Sequence, residues 1–323
     1  MAYSEKRIKE IQTAAEELGY VAAAEKLGIS KESVRRTARK GRALDKTEPC
    51  ATEIEKPDAL VQKILDRYTP DELKSIASGR GISPIQHEIP VHDFQGQDVC
   101  IGFATDTHIG SRFFHDALWI SFIEECKRQK VQRILFSGDL IEGMSNRPDQ
   151  MYSLQDMGFS AQMNHATRLL DMTKVPIDAI DGNHDRWGIK SGGVFAVRDI
   201  ANRLKHVNFL GHDVADVIIN GSKWRLWHGE DGSSYATSYR IQKIIESLTG
   251  GDKPNILLCG HTHKQAYIFE RNIHAVSGGA LSMQSDWMRS KRLANHTGFH
   301  IIRAKIQGGN VISFSPTFYP FYV

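Results

Sequence analysis

Five short polar motifs interrupt this chain in a fixed order, and each stands at the end of a short apolar run. They read Asp106-Thr107-His108, Gly138-Asp139-Leu140-Ile141-Glu142, Gly182-Asn183-His184-Asp185, His228-Gly229 and Gly260-His261-Thr262-His263. Residues 99–104, 131–136 and 175–180, before the first three motifs, have the length and the Val/Ile content of buried strands. Strands that end repeatedly in Asp, His and Asn are constrained to bring those ends together, because open α/β sheets gather functional groups beyond their carboxyl ends. Residues 113–129 and 151–172 are expected as helices between them. Residues 215–219, 224–227, 255–258, 300–304 and 311–314 are expected as further strands. The pattern predicts an α/β fold, a layered αββα sandwich over residues 96–323, preceded by a small all-α domain.

The motifs supply carboxylate oxygen, imidazole nitrogen and an amide oxygen, but no thiolate. That donor set suits Mn, Fe or Zn in a catalytic site and argues against a Cys-based structural zinc site. Enough ligands are present for two divalent ions sharing a carboxylate, the arrangement that clamps both oxygens of an in-line phosphoryl displacement. Glycines beside the ligands (Gly138, Gly182, Gly260) let strand-end loops turn sharply. Glu142 reads equally well as a partner of a ligating histidine or as a solvated carboxylate.

Bulk properties restrict the setting. With 41% hydrophobic and 24% charged residues, the 323-residue chain can build a sizeable core. It holds no apolar run of the ~18 residues that cross a membrane, and its start lacks the apolar stretch of a secretory signal. Cys50, Cys100, Cys126 and Cys259 are far apart and form no CxxC pair, so reduced thiols and a cytoplasmic location are expected.

Charge is unevenly placed. Residues 1–48 carry 11 Lys and Arg against 8 Asp and Glu, an excess of three that equals the whole chain's net +3. Ile8, Ile11, Ala15 and Leu18 recur at helical spacing, Gly19 punctuates, and residues 20–27 form an Ala-rich second helix. Gly28-Ile29-Ser30 makes a tight turn, with Ser30 as the cap of a third, basic helix over residues 31–40. The run from Ala22 to Val34 resembles a helix-turn-helix, so residues 1–45 are expected to bind DNA. Lys31, Ser33, Arg35, Arg36 and Arg39 are the expected contacts, the alternative being a basic helical bundle for protein contact. Residues 46–95 read as a linker, with short amphipathic segments over residues 58–68 and 70–77.

With all five motifs in order, the chain from about residue 99 to 285 resembles the calcineurin-like metallophosphoesterase superfamily. The resemblance implies one ion held by Asp106, His108, Asp139 and His263. A second would be held by Asp139, Asn183, His228 and His261, with Asp139 shared. It further implies a water between the ions as nucleophile, and His184 as proton donor to the leaving alkoxide, its ring oriented by Asp185. Manganese is the favoured metal, with Fe or Zn as alternatives. Arg112, Arg147 and Arg186 sit just beyond motifs and are candidates to grip a phosphate. His115 and His165 lie near motif loops and are weaker candidates for substrate contact.

The second motif continues Leu140-Ile141-Glu142-Gly143, without the Asp-Arg-Gly of the family's serine/threonine phosphatases. Nor is there the tyrosine ligand or secretory start of a purple acid phosphatase. Phosphodiesterases remain, and the N-terminal module favours a DNA nuclease of the SbcD-like branch, in a bacterium or phage. The alternatives are a small-molecule or cyclic-nucleotide esterase with a docking module, and a non-catalytic DNA-binding regulator with a structural metal. Trp287, Met288, Arg289, Lys291 and Arg292 mix aromatic and basic groups, as nucleic-acid surfaces do, but equally suit a cap on the sandwich edge. The aromatic C-terminus (Phe314, Phe318, Tyr319, Phe321, Tyr322) is expected to dock on its own domain or on a second copy, which leaves a homodimer open.

Overall fold

The computed structural model describes residues 4–44, 89–145, 147–229, 236–249 and 252–322. Its contacts divide the chain into two units, residues 1–85 and 86–323.

In the first unit, helix α1 (Glu5–Leu27) starts at Ser4, whose side chain accepts a hydrogen bond from the Arg7 N–H. It kinks at Gly19, where φ is 75°, so two helical segments lie on either side of the expected break. Gly28 ends it in the left-handed conformation, and the Ser30 hydroxyl accepts from the Ser33 N–H at 3.2 Å to start α2 (Lys31–Leu44). Ile11, Ala14, Ala23, Ala24 and Val34 form a small core. Leu18, expected on the apolar face, adjoins the kink and is 44% exposed. The expected segments 58–68 and 70–77, with Cys50, lie outside the described residues.

The second unit opens with β1 (Val91–His92), which pairs in parallel with β6 (Val214–Ile219). Phe94 N–H also donates to Asn220 Oδ1 at 2.7 Å. Residues 89–95, expected as linker, therefore belong to the sandwich; a two-residue edge strand is too short to leave a periodic pattern. One six-stranded sheet runs β1-β6-β7-β8-β10-β9, with β7 (Ser222–Trp227), β8 (Ile256–Cys259), β9 (Gln265–Glu270) and β10 (Ile273–Gly278). The other runs β12-β11-β2-β3-β4-β5. It contains β2 (Asp98–Ala104), β3 (Arg133–Ser137), β4 (Ile177–Asp181), β5 (Val207–His212), β11 (Gly298–Gln307) and β12 (Asn310–Pro320).

Strands β2 to β5 are parallel, and β2, β3 and β4 are buried on both faces, which explains why those three read as apolar runs. Alternation along β2 sends Val99, Ile101 and Phe103 between the sheets. Cys100 and Ala104 face the helical side, against α3 (Asp116–Arg128), α4 (Phe159–Leu170) and α6 (Ala196–Ala201). Helix α7 (Tyr239–Ser247) packs Ile241 and Ile245 onto Leu257 and Ala275 of the other sheet. The order is helix, sheet, sheet, helix. The helix expected over residues 151–172 is broken in two: a 3-10 turn (Pro148–Ser153) and α4 are separated by Gly158, at φ 85°. The aromatic tail docks on its own domain up to Phe321, with Tyr319 stacked on Phe299 at 5.2 Å and Phe318 beside His300, while Tyr322 is 94% exposed. Strand β12 is a sheet edge, and Pro316 and Pro320 blunt it against pairing with another chain.

Candidate metal centre

The five motifs meet beyond the carboxyl ends of five strands. Asp106 and His108 follow β2, and Asp139 follows β3. Asn183 and His184 open helix α5 (Asn183–Gly192) after β4, while His228 follows β7 and His261 and His263 follow β8. Three groups of side chains each place one ligand atom apiece within 4.8 Å: Asp106, His108 and His263; His108, Asp139 and His184; Asp139, His228 and His261. Asn183 joins the last group, its Oδ1 standing 3.1 Å from His228 Nε2 and 3.0 Å from His261 Nδ1. All seven candidate ligands come together, with Asp139 common to two groups.

The backbone of these loops is strained. Asp106, His108, Asp139, His261 and His263 all have φ between 49° and 70°, a region that non-glycine residues seldom enter. Such conformations cost on the order of 1–3 kcal/mol each and persist only where surroundings over-determine them. Here the surroundings are hydrogen bonds between motifs: Asp106 N–H to Gly138 O at 3.0 Å, His108 N–H to Asp139 O at 3.1 Å, and His261 N–H to Asp106 Oδ2 at 3.0 Å. At Gly138, φ is 94° and a Cβ would lie 2.5 Å from His228 Nδ1, so this position excludes any side chain.

The outer ring atoms are anchored in a way that points the inner ones at each other. His228 Nδ1 donates to Ser137 O at 2.7 Å, which leaves Nε2 facing Asp139 Oδ2 at 3.2 Å. His263 Nδ1 donates to Asn295 Oδ1 at 2.8 Å, and its Nε2 lies 3.3 Å from Asp106 Oδ1 and 3.1 Å from His108 Nε2. His108 Nδ1 is 3.0 Å from Glu142 Oε2, an ion-pair contact whose angle falls short of a hydrogen bond. Lone-pair atoms from three carboxylate or amide groups and four imidazoles thus converge, with the far sides of His228 and His263 held by hydrogen bonds, the usual arrangement around a divalent cation. The residues fit the metals that the motifs implied.

Protonation agrees with that fit. Burial opposes charge on His108, but Glu142 and Asp139 push it up to about 9. Burial likewise opposes charge on His228, yet Asp139 raises it to about 10. Asp139 is buried, but His228, His184 and His108 hold its carboxyl well below the ordinary range. Protons on these imidazoles balance the buried carboxylates, and a divalent cation would displace them.

The His184 ring is held by a group other than the expected Asp185. His184 Nδ1 donates to the Glu142 carbonyl at 2.8 Å, and its ring lies 3.9 Å from that of Trp187. Asp185 does not orient that ring. Its carboxylate accepts from the N–H groups of Leu140, Ile141 and Gly182 at 3.2, 2.9 and 2.8 Å, tying the second motif to the start of α5. The third turn position of a helix directs its side chain back to such N–H groups. Glu142 is partly buried, its side chain 13% exposed and packed beside His108 and His184, which favours the partner of a ligating histidine over the solvated carboxylate.

The three arginines differ. Arg186 pairs with Asp181 at 3.0 Å and Asp213 at 3.4 Å, a structural tie in place of the expected phosphate contact. Arg112 donates to the Tyr152 carbonyl at 3.2 Å. Arg147 lies over the Trp287 ring, 5.0 Å from its centroid. His165 is clamped between Asp116 and Asp156, at 2.7 and 2.5 Å, and with His115 it lines a polar cleft of about 570 Å³ that no candidate ligand lines. On α2, Lys31, Arg35 and Arg36 are exposed, Ser33 is half-buried against Ser30, and the Arg39 side chain lies outside the described residues.

Two supporting residues escaped the sequence reading. Asn295 anchors His263, and the Ser282 hydroxyl donates to the Asp106 carbonyl at 2.9 Å. Both come from a loop beyond the last motif, where a lone Asn or Ser carries no distinguishing pattern.

A family model described as the calcineurin-like phosphoesterase superfamily domain matches residues 100–294. Among curated proteins, the DNA polymerase II small subunit of Archaeoglobus fulgidus is 26% identical over 241 residues, 61% of this chain and 49% of its own length. That of Methanothermobacter thermautotrophicus is 21% identical over 238 residues, 59% of this chain and 49% of its own. The chain spans about half the length of these relatives. Among solved structures, an archaeal phosphodiesterase shares 15% identity at a TM-score of 0.42, covering 68% of this chain and all 100% of its own. The Yfce phosphoesterase of E. coli shares 16% at 0.40, covering 67% and 98%.

Proposed function

From a chain that belongs to the calcineurin-like phosphoesterase superfamily, we propose a two-metal phosphodiesterase whose favoured substrate is DNA. The observation that carries the reading is the place of Asp139 between two histidines of the proposed ligand sets, its Oδ2 lying 3.2 Å from His228 Nε2 and 3.9 Å from His108 Nε2. Asp106, His108, Asp139 and His263 would hold one ion, and Asp139, Asn183, His228 and His261 the other. Manganese is the favoured occupant. When bound, two such ions acidify a water and offset the charge that develops on phosphorus.

The chain's own groups do the rest. The strand-end loops, strained at five of the seven ligands, hold the donors in place before substrate arrives, so little reorganisation remains for the reaction. His184, fixed through Nδ1 on the Glu142 carbonyl, presents Nε2. Burial lowers its proton affinity, so the ring is neutral until an anionic phosphodiester favours a proton there. That proton can then pass to the leaving alkoxide. Asp185 positions the loop bearing Asp139 against the loop bearing Asn183.

DNA is favoured on two grounds. The similar proteins are DNA polymerase small subunits, and α2 presents Lys31, Arg35 and Arg36 to solvent after a Ser30-capped turn. We read residues 1–45 as a helix-turn-helix module that concentrates DNA near the centre. A second reading is a non-catalytic DNA-binding subunit, the relatives being named as small subunits of a polymerase; the complete ligand set and His184 count against it. Labelled single- and double-stranded DNA with added Mn, beside a small aryl phosphodiester, tests both. Under the proposal, DNA is cut and His184→Ala reduces cutting about 10²–10⁴-fold. Turnover of the aryl diester with DNA left whole would discard the nuclease reading. Bound metal without turnover of any ester would establish the second reading.

A further inference from the structure

The contact between Arg147 and Trp287 joins two loops that both start at the candidate centre. The first runs from Glu142, whose Oε2 lies 3.0 Å from His108 Nδ1. Gln150 closes that loop, donating to Glu142 Oε1 at 2.9 Å, and Arg147 stands within it. The second is hung from both ends: the Ser282 hydroxyl donates to the Asp106 carbonyl, and Asn295 accepts from His263 and donates to the Ser282 carbonyl at 2.9 Å. At its tip, the short helix α8 (Asp286–Ser290) is capped by Ser285 and rooted by buried Met288, so Trp287 is held outward and is 48% exposed.

Trp287 therefore offers about half of a large aromatic surface, with its polar N–H, to solvent. Arg147 lies over the ring, a contact that restrains it for stacking. The surroundings are cationic. Arg289, Lys291 and Arg292 are exposed on the same loop, and among the described residues only Arg289 of these has a carboxylate partner, Asp286 at 3.4 Å. Tyr152, 79% exposed, follows Arg147 on the first loop. Aromatic faces set among exposed cations, on two loops that start at the candidate centre, match a strand of stacked bases with a charged backbone.

We propose that Trp287, steadied by Arg147, is a stacking platform for an unpaired nucleobase next to the scissile phosphate. The substrate class is then single-stranded DNA or a frayed end, because a base inside a duplex has no free face. This rests on the phosphodiesterase reading above for its position, but its binding chemistry is separable from cleavage.

The test uses the full chain in EDTA and a tetranucleotide carrying 2-aminopurine, whose fluorescence is quenched by stacking. The wild type should bind and quench. Trp287→Ala should weaken binding roughly tenfold or more and remove the quench, Trp287→Phe should retain most of both, and Arg147→Ala should fall between. Thermal melts of the variants establish that each is folded. With Mn added, Trp287→Ala should raise KM for the single strand more than it lowers kcat. Equal binding and quenching by Trp287→Ala and wild type would overturn the platform while leaving DNA cleavage intact. Quenching by a wild type that cuts no DNA would keep the platform and sink the nuclease reading.

Discussion

The helices of residues 4–44 pack around Ile11, Ala14, Ala23, Ala24 and Val34, all apolar, whereas the loops after β2, β3 and β8 pack carboxylates against imidazoles. In the helices each residue sits in a conformation it favours alone, except Gly19 and Gly28, which suit theirs. In the loops five candidate ligands occupy backbone conformations they would leave if released. The difference lies in what stands behind each. The small helical core has nothing in reserve. The loops are backed by two six-stranded sheets with Phe103, Leu135, Trp224 and Leu258 between them, and that core can carry the strain of a preorganised site.

The sharpest way to break this comparison is at its most loaded side chain. Asp139→Asn removes the carboxylate proposed to be shared by the two ions. Phosphodiester turnover should drop by about three orders of magnitude or more, and bound Mn measured after dialysis should fall below two per chain. Two ions retained at full affinity would show that Asp139 is not shared.

A smaller loss is expected from Asn295→Ala, which frees the His263 ring without touching a ligand atom. Metal affinity or activity should fall about 10–100-fold. Isothermal titration with Mn reads it, and Asn295→Asp should recover most of the affinity because it keeps the acceptor.

The helical side of the comparison is probed by Ile11→Ala. Loss of this fully buried side chain should cost roughly 2–5 kcal/mol, enough to unfold so small a core. Amide exchange should then be fast across residues 5–44, while β2 to β5 keep their protection. Slow exchange in both regions would mean that the helical unit is braced by more than its described core.

The smallest effect concerns acid stability. His300 is fully buried between the sheets, and neither ring nitrogen meets a hydrogen-bond partner, the Ser277 backbone being near but out of line. Burial lowers its pKa to about 3, below the unfolded value of about 6.5. Its neutral form is therefore present in both states above pH 6.5, and stability falls as pH drops from 6.5 towards 3. Between pH 7 and 5 the metal-free protein should lose about 2 kcal/mol from this group. His300→Leu should remove that part of the slope in denaturant unfolding at the two pH values.

Much of the site could be read in one dimension because its ligands come in short, ordered motifs at strand ends. Asp106 with His108, and His261 with His263, are near neighbours, so their chemistry shows locally. Parallel strands buried on both faces also announce themselves as apolar runs. Other features hid because their partners are remote. Whether Glu142 was solvated depended on His108 and His184 arriving from other motifs. Asp185 sits beside His184 in sequence, which suggested a contact, but as a helix's third residue it turns back to the Gly182 N–H. Arg186 was a candidate phosphate grip until Asp181 and Asp213 were seen to hold it.

The sequence by itself determined the donor atoms, their order, the strands that carry them and the basic character of residues 1–48. These follow from residue type and local periodicity, which need no partner. Only the tertiary structure decided which side chain anchors which ring, which arginine is spent on a carboxylate, and that Arg147 meets Trp287 across two loops. Those contacts span from about 30 to 175 residues, and a hydrogen bond or a stacked cation is set by distance and angle, not by composition.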